Sequence, residues 1–509
     1  MSKTFNTYSA ETGEVLEGEF MIASAEETAS AMEASAVAFS VYSKTSVENR
    51  AKFLETIADE IEALGDELIQ RASAETGLPN GRFMGERGRT CGQLRSFAAI
   101  IREGSWVEAR VDYAQPDRTP MPRVDIRKML VPIGPIVVFG ASNFPLAYST
   151  AGGDTASAFA AGNTVVVKAH PAHAGTSELV AGAIRKAIDK CGLDQGIFNH
   201  LHDTGFELGK NLVVHPATKA VGFTGSLAGG RALLDMASKR DEPIPVFAEM
   251  GSINPVIILP ETMKAQGSEL GTAMAGSITL GVGQFCTNPG LILTIGNETE
   301  AFTSALADGI AASKSFTMLH KGISASYSKL KGETLGQSGV SVISEATDQG
   351  ASNQGRPTVA TVSGADFLAN SNLHREVFGP FSLVVQCEDE PQLLKVISEL
   401  DGQLTGSIFC ESGELSNHPE VVEVLQSRVG RIICNGVPTG VEVCPAMQHG
   451  GPYPATTDSR FSAVGADAIK RFARPVSFQS WPQELLPEAL KDGNPLGIQR
   501  VVDGEYGTN

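Results

Sequence analysis

No stretch of this 509-residue chain approaches the ~20 uninterrupted apolar residues that a helical membrane span requires. The amino terminus, MSKTFNTYSAETGEVLEGEF, lacks a basic start followed by an apolar block and a cleavage signature. Neither secretion nor import is expected, and the cytoplasm is the expected compartment. Cysteine is sparse: the seven, at 91, 191, 286, 387, 410, 434 and 444, are odd in number and include no CxxC pair. Such spacing indicates neither a disulfide framework nor a zinc site, so reduced thiols and no metal are expected. Positive charge is also in deficit, 40 Lys and Arg against 58 Asp and Glu for a net −18, which opposes nucleic-acid binding. What is expected is a soluble protein with small-molecule partners, 42% apolar and 19% charged. At roughly 150 residues per domain, it is long enough for two or three.

The first hundred residues read as helices that cover a sheet, with no chemistry visible in them. Ser24 and Glu27 have capping-box spacing ahead of a helix to about Tyr42, and Ser46 opens a second in which Phe53, Ile57, Ile61 and Leu64 recur. Gly65 and the Gly77-Leu-Pro step break the stretch that follows. Prolines 116, 120 and 122 mark 113–130 as an extended arm that could pair with another subunit. Then strand and helix alternate. Ile136-Val-Val-Phe is a short buried strand, Ser149 to Ala161 an alanine-rich helix, and Thr164-Val-Val-Val-Lys a second strand. A helix over about 177–190, strand Ala220 to Thr224 and a helix through Gly229 follow. This is the pattern of a doubly wound α/β sheet, whose ligands lie outside the carboxyl ends of the strands. The segment from about 314 to 356 reads as irregular and polar, and Val476-Ser-Phe-Gln as a further pairing strand.

Residues with chemistry fall at those strand ends. Asn143 follows the first strand in Ser-Asn-Phe-Pro, Lys168 ends the second, and Gly225-Ser226 opens a helix whose first N–H groups could take a pyrophosphate. There is no GxGxxG fingerprint. Glu249 closes Val-Phe-Ala-Glu before Met-Gly-Ser, where a carboxylate is costly unless paired or functional. Cys286 stands in GVGQFCTNPG, 281–290, on a turn between two apolar runs. There a thiol and neighbouring backbone N–H groups could address one substrate atom.

SNFP at 142–145, FTGS at 223–226, an acid before Met-Gly-Ser, GQFC at 283–286 and EVFGP at 376–380 occur in the order and spacing of an aldehyde dehydrogenase. The chain resembles that family from its first helices to its last strand. The resemblance implies Cys286 as the nucleophile that forms a thiohemiacetal and then a thioester. It implies Asn143, with the Cys286 N–H, as oxyanion donor and Glu249 as the base that activates the hydrolytic water. For the cofactor it implies Lys168 at the adenosine ribose, Gly225 and Ser226 at the pyrophosphate, Glu376 at the nicotinamide ribose and Phe378 beside the nicotinamide. The architecture implied is a Rossmann-type cofactor domain (1–112 and 131–249), an α/β catalytic domain (250–450), a small β oligomerisation arm (113–130 and 474–490) and carboxyl-terminal segments (451–473 and 491–509). A homodimer or homotetramer is expected.

Two departures bear on specificity. Ser142 stands where the family usually has Trp, so packing beneath the cofactor differs. Pro171 stands where many NAD-specific members carry an acid, so a 2′-phosphate is not repelled. With Lys168 and His170 as candidate contacts, NADP is favoured slightly over NAD. Within the family, 142–162 and 450–476 are most similar to bacterial 2-oxoglutarate semialdehyde (2,5-dioxopentanoate) dehydrogenases, with a second likeness to a bacterial NADP-linked long-chain aldehyde dehydrogenase. A carboxylate-bearing substrate calls for an arginine, and Arg460 is the candidate. The alternatives are a medium- or long-chain aliphatic aldehyde and a CoA-acylating reaction. Glu249 speaks against the second, which needs no water-activating base.

Overall fold

The computed structural model describes residues 3–508. The amino-terminal helices form where the caps predict. Ser24 Oγ accepts from the Glu27 N–H while the Glu27 carboxylate accepts from the Ser24 N–H, opening α1 (Ala25–Tyr42). Ser46 caps α2 (Val47–Ala63), which buries Phe53, Leu54, Ile57 and Ile61. Gly65 starts α3 (Gly65–Thr76), and Gly77 ends it at φ +70, a left-handed cap that glycine adopts without strain. The 24-residue α4 (Asn80–Glu103) follows. Phe53, Phe83 and Phe97 share one core with Phe159, Val165 and Val167, so these helices do cover a sheet. They are not without chemistry, however. Arg82, Glu86 and Arg89 recur at helical spacing on α4 and turn toward the functional site, as described below.

That sheet is parallel. Its strands are β1 (Ile136–Phe139), β2 (Val165–Lys168), β3 (Phe198–Leu201), β4 (Ala220–Thr224) and β5 (Val246–Glu249), in spatial order β3-β2-β1-β4-β5. Chain order reverses between β1 and β4, which puts the loops after Phe139 and Thr224 at the switch point. The crossover helices are α5 (Gly153–Ala161), α6 (Ala174–Cys191), α7 (Glu207–Val214) and α8 (Leu227–Ser238). Sequence reasoning passed over β3 and α7. Phe-Asn-His-Leu is short, lies at the sheet edge and alternates buried with half-buried positions, so it has no apolar run to announce it. Helix α5 begins later than Ser149 because the Leu146 and Ala147 N–H groups are taken by the Glu86 carboxylate at 2.9 and 3.0 Å. The intervening turn is tight: a Cβ on Gly152 would stand 2.5 Å from the Ala147 carbonyl oxygen.

Seven residues past Glu249 the chain starts a second sheet. It comprises β6 (Val256–Ile258), β7 (Leu291–Ile295), β8 (Ser341–Glu345), β9 (Thr358–Ser363), β10 (Phe381–Cys387), β11 (Gln403–Phe409) and β12 (Val429–Cys434), in order β8-β9-β10-β7-β6-β11-β12, with β8 alone antiparallel. Helix α9 (Pro260–Thr279) joins β6 to the cysteine loop. The segment expected to be irregular holds a helix, Lys321–Leu335, and β8. The helix buries just Ser324, Tyr327 and Thr334 fully, too few apolar residues for its period to show in sequence.

The arm and the tail meet in a third sheet, in which Ala473–Gln479 pairs antiparallel with Ile126–Pro132 over seven residues, Val476 opposite Met129. Arg110–Asp112, Arg500–Val502 and Glu505–Gly507 complete it, while 113–125 contributes an isolated bridge, Gln115 with Arg123. The two stretches read as open edges thus satisfy each other within one chain, leaving Ala473–Gln479 and Glu505–Gly507 as the outer strands. Among the described residues, no helix is long and apolar enough to cross a membrane.

One buried ion pair ties the carboxyl-terminal segment to the first sheet. Arg471 Nη1 lies 2.7 Å from Asp154 Oδ1, their side chains 4% and 12% exposed, and Arg471 Nε donates to the Ala468 carbonyl. Removing one partner of such a pair strands the other charge, so Arg471→Met is expected to cost about 3 kcal/mol. The double variant Arg471→Met/Asp154→Leu should recover most of the loss. Urea unfolding of the four proteins checks this, and additive losses would show that the two groups are not coupled.

Candidate active site

Helix α9 ends in a backbone that few side chains tolerate. Gly281, Val282 and Gly283 all have positive φ, +56, +60 and +63. For a β-branched residue this conformation costs of order 1–3 kcal/mol. Gly283 is obligatory for space as well, since a Cβ would lie 2.3 Å from the Gly379 carbonyl carbon. The turn that follows carries Cys286 and is pinned from the junction between the sheets. Asn254 Nδ2 donates to the carbonyls of Cys286 and Asn288 at 2.8 and 2.9 Å, while its Oδ1 accepts from Ser252 and Thr405. Asn288 in turn donates to Gly379, so the 376–380 loop is fastened to the cysteine loop.

Glu249, at the carboxyl end of β5, is 3% exposed. His449 Nε2 lies 3.1 Å from its Oε1 and 3.6 Å from Cys286 Sγ, and the three ligand-type atoms fall within 4.8 Å of one another. The burial of Glu249 alone would raise its pKa. His449 and the hydrogen bond from Cys286, with Arg471 further off, outweigh that and keep it below the ordinary range, hence ionised. The thiol goes the other way: burial and the Glu249 carboxylate push Cys286 well above its ordinary value. At rest the proton sits on sulfur and the charge on Glu249.

Asn143 lies in the loop after β1, where its Nδ2 donates to the Gln284 carbonyl at 3.2 Å. Residues from strand ends of both sheets therefore converge: Asn143 and Glu249 from the first, Cys286 from the loop before β7. Phe144, Tyr148 and Phe285 wall the same space, with ring centroids 5.3 and 5.6 Å apart.

The other predicted residues line the carboxyl edge of the first sheet. Lys168 Nζ bonds the Asp203 carbonyl at 3.3 Å, and burial lowers its pKa, with Asp203 partly compensating. His170 is held neutral by burial and by His173, His320 and Lys168 around it. Gly225 donates to the Glu249 carbonyl, and exposed Ser226 caps α8 through the Gly229 N–H at 3.2 Å. Burial pushes Glu376 up to about 7 against the backbone of Ser252. Its carboxylate rests on Gly251, where a Cβ would stand 2.7 Å away. Half-buried Phe378 follows it in the same loop.

Arg460 is not brought to this space. Its side chain is 81% exposed and bound bidentate to Asp458, which holds it at the surface. Two groups were missed. His449 sits in a tail that reads as turns alone. The available signal was its position directly before Gly450 and Gly451, which pack so close that Cβ atoms there would meet the Phe461 and Gln403 carbonyl oxygens at 2.7 and 2.1 Å. Arg82, Arg89 and Arg431, the arginines that do border the site, gave no motif.

Residues 1–472 match the aldehyde dehydrogenase family. A protein of Azospirillum brasilense named alpha-ketoglutaric semialdehyde dehydrogenase 2 is 48% identical over 504 residues, 99% of this chain and 96% of its own. An alpha-ketoglutaric semialdehyde dehydrogenase of Acinetobacter baylyi is 46% identical over 487 residues, 95% and 92% of the two chains. Among solved structures, a glyceraldehyde-3-phosphate dehydrogenase of Methanocaldococcus jannaschii complexed with NADP superposes with a TM-score of 0.78 at 19% identity, covering 94% of this chain and 99% of that one, a likeness of fold. By the family match and by these relatives, this chain belongs to the aldehyde dehydrogenase family.

Proposed function

We propose that the protein oxidises 2-oxoglutarate semialdehyde to 2-oxoglutarate with NADP or NAD, through a thiohemiacetal and a thioester on Cys286. The substrate is the one named for the two bacterial relatives, under its older name. The chemistry is carried by one observation, the enclosed cluster of Cys286, His449 and Glu249 facing Asn143. Attack on an aldehyde needs a thiolate, and burial beside Glu249 holds the thiol protonated. Its proton must leave as sulfur attacks, and the acceptor is the Glu249 carboxylate, which already takes the thiol's hydrogen bond while His449 Nε2 donates to it at 3.1 Å; Glu249 gives that proton up to solvent before its second role. The carbonyl oxygen becomes an alkoxide, which the Cys286 N–H and Asn143 hold. The bond from Asn143 to Gln284 orients that amide and leaves its second N–H for the oxygen. A bound nicotinamide dinucleotide supplies the two-electron acceptor. Glu249 then deprotonates the water that opens the thioester and frees the acid.

The strand-end residues fit such a cofactor. Gly225 and Gly229 lie flat on Phe223, where Cβ atoms would stand 2.6 and 2.9 Å from its ring, and leave the amino terminus of α8 open to a pyrophosphate. Lys168 would offer its ammonium to the adenosine ribose, Glu376 would take the nicotinamide ribose hydroxyls and Phe378 would pack beside the nicotinamide. Lys168 is also the cation for a 2′-phosphate, with neutral His170 as a hydrogen-bonding partner and no acid at Pro171. These features favour NADP slightly. The first two sheets support cofactor (1–112 and 131–249) and catalytic (250–450) parts, and the third supports an arm about 113–130 and 474–490 that also takes in Arg110–Asp112, Arg500–Val502 and Glu505–Gly507.

The deciding experiment mixes enzyme, NADP or NAD and the semialdehyde rapidly and follows absorbance at 340 nm. Glu249→Gln should give a slowed burst, still of about one reduced nicotinamide per site, and then a steady rate far below wild type, and Cys286→Ala no burst. A steady rate unchanged in Glu249→Gln would remove Glu249 from deacylation.

A second expectation concerns pH. To accept from ribose hydroxyls Glu376 must be ionised, and its pKa is near 7. Dinucleotide affinity should therefore rise about tenfold from pH 6 to pH 8 and level off above. Fluorescence titration of Glu376→Gln should show the rise abolished, and an identical slope would place the titrating group elsewhere.

Assembly is proposed to run through the third sheet, whose outer strand Ala473–Gln479 leaves one edge of backbone groups unpaired within the chain. Light scattering should return a dimer or tetramer, and a monomer mass at micromolar concentration would refute it.

A further inference from the structure

An apolar cluster borders Cys286. Phe144, Tyr148 and Val464 pack there with Phe285, Val443 and Met447 at their margin. Three guanidinium groups are laid along that wall. Arg82 stands over the rings of Phe144 and Phe285, 4.3 and 5.2 Å from their centroids. Arg89 stands over Tyr148 at 5.3 Å, and Arg431 Nη1 reaches Met447 Sδ at 3.7 Å.

Their partners differ. Arg82 is neutralised by buried Glu86 at 3.3 Å. Arg89 and Arg431 have no carboxylate within ion-pair distance among the described residues. Arg89 Nη2 donates to the Tyr148 hydroxyl at 3.0 Å, Arg431 donates to the carbonyls of Pro438 and Gly440, and the Nε of each is buried without a partner. A half-buried cation that lacks a counter-charge is costly, and in a chain of net charge −18 two such cations on one wall call for an anion that is not part of the protein.

The spacing says which anion. Tyr148 bridges the interval, its ring centroid 6.2 Å from that of His449, which touches Cys286, while its hydroxyl holds Arg89. A five-carbon chain separates its two end carbons by about 5 Å when extended, from four bonds of ~1.5 Å. Arg89 lies near enough to the thiol to draw its pKa down, and Arg431 feels the sulfur in turn, so an aldehyde of this length held at sulfur is suited to bring its other end to these guanidinium groups.

Building on the proposed aldehyde oxidation, we propose that Arg89, aligned by Tyr148 and assisted by Arg431, is the subsite for the substrate's distal carboxylate. The protein thereby selects four- and five-carbon aldehydes that end in a carboxylate. Arg89 is a specificity residue here, not a proton carrier.

The test compares kcat/KM for 2-oxoglutarate semialdehyde with that for pentanal. Wild type should favour the charged aldehyde. Arg89→Met should lower that ratio about 100-fold, chiefly through KM, and Arg431→Met about tenfold, as losing one side of a buried charge pair does. Arg460→Met, the exposed arginine, should leave the ratio within about twofold. Thermal unfolding and dinucleotide affinity monitor the fold of each variant. If Arg89→Met does not fold, Arg89→Lys and Tyr148→Phe are read by the same ratio, each expected to lower it several-fold. A preference that survives all the substitutions at Arg89 and Tyr148 overturns the subsite alone, as does its collapse in Arg460→Met. A wild type indifferent to the carboxylate overturns the subsite and the substrate together. No oxidation of either aldehyde with either dinucleotide would overturn the underlying activity.

Discussion

A carboxylate buried at 3% exposure is the constraint on which the rest of this structure turns. Glu249 ends a strand in the interior, where an unpaired charge would cost several kcal/mol. Its hydrogen-bonding partners are those of a nucleophilic site, an imidazole at 3.1 Å and a thiol within 4.8 Å. Each comes from a different part of the chain, and each is placed by backbone that has little freedom. His449 is admitted by two glycines pressed against carbonyl oxygens, and its own N–H is held by Ser462. Cys286 is admitted by three successive left-handed residues and by the Asn254 amide.

The same junction couples the two large sheets. Asn254, itself at φ +47, stands between the end of β5 and the start of β6 and binds the cysteine loop on one side and Thr405 of β11 on the other. A shift of one sheet against the other would therefore move Glu249 relative to Cys286. The 376–380 loop is attached to this junction twice, through the Asn288 amide on Gly379 and through Glu376 lying on Gly251. The proposed cofactor contact and the thiol are thus positioned by one set of hydrogen bonds, which suits a reaction that needs both within reach of one carbon.

How much of this was legible follows from where the information lies. Strands buried on both faces, such as Ile136–Phe139 and Ala220–Thr224, show as apolar runs, and the ligand-type residues after them show as breaks in those runs. The order of those breaks was enough to place the family and the fold. Phe198–Leu201 and Lys321–Leu335 stayed hidden because an edge strand and a surface helix bury too little to leave a periodic pattern. His449 and Arg89 were illegible for a different reason. Each acts through a contact with a residue distant in the chain, 163 residues from His449 to Cys286 and 59 from Arg89 to Tyr148, and local sequence shows at most a close backbone approach at Gly450-Gly451, not the partner. Arg460 failed by the reverse error. It lies near the right segment in sequence, but its own Asp458, two residues earlier, holds it at the surface.

Charge is the last link between the site and the whole. An anionic aldehyde and an anionic dinucleotide must enter a protein of net charge −18. Beyond ~8 Å, physiological salt screens most of that repulsion, so what decides binding is the charge met inside the pocket, where screening is weak. There the residues conflict. Glu249 pushes the thiol up, and Arg89 draws it down. A substrate carboxylate bound to Arg89 would cancel that help, so the arginine cannot be what keeps the sulfur ionised during attack. The proton must go to a group that the substrate does not neutralise, and Glu249, held by His449 and hydrogen-bonded to the thiol, is the group so placed. In the proposed arrangement, recognition of the acid end falls to Arg89 and activation of the thiol to Glu249, so the two tasks rest on different residues.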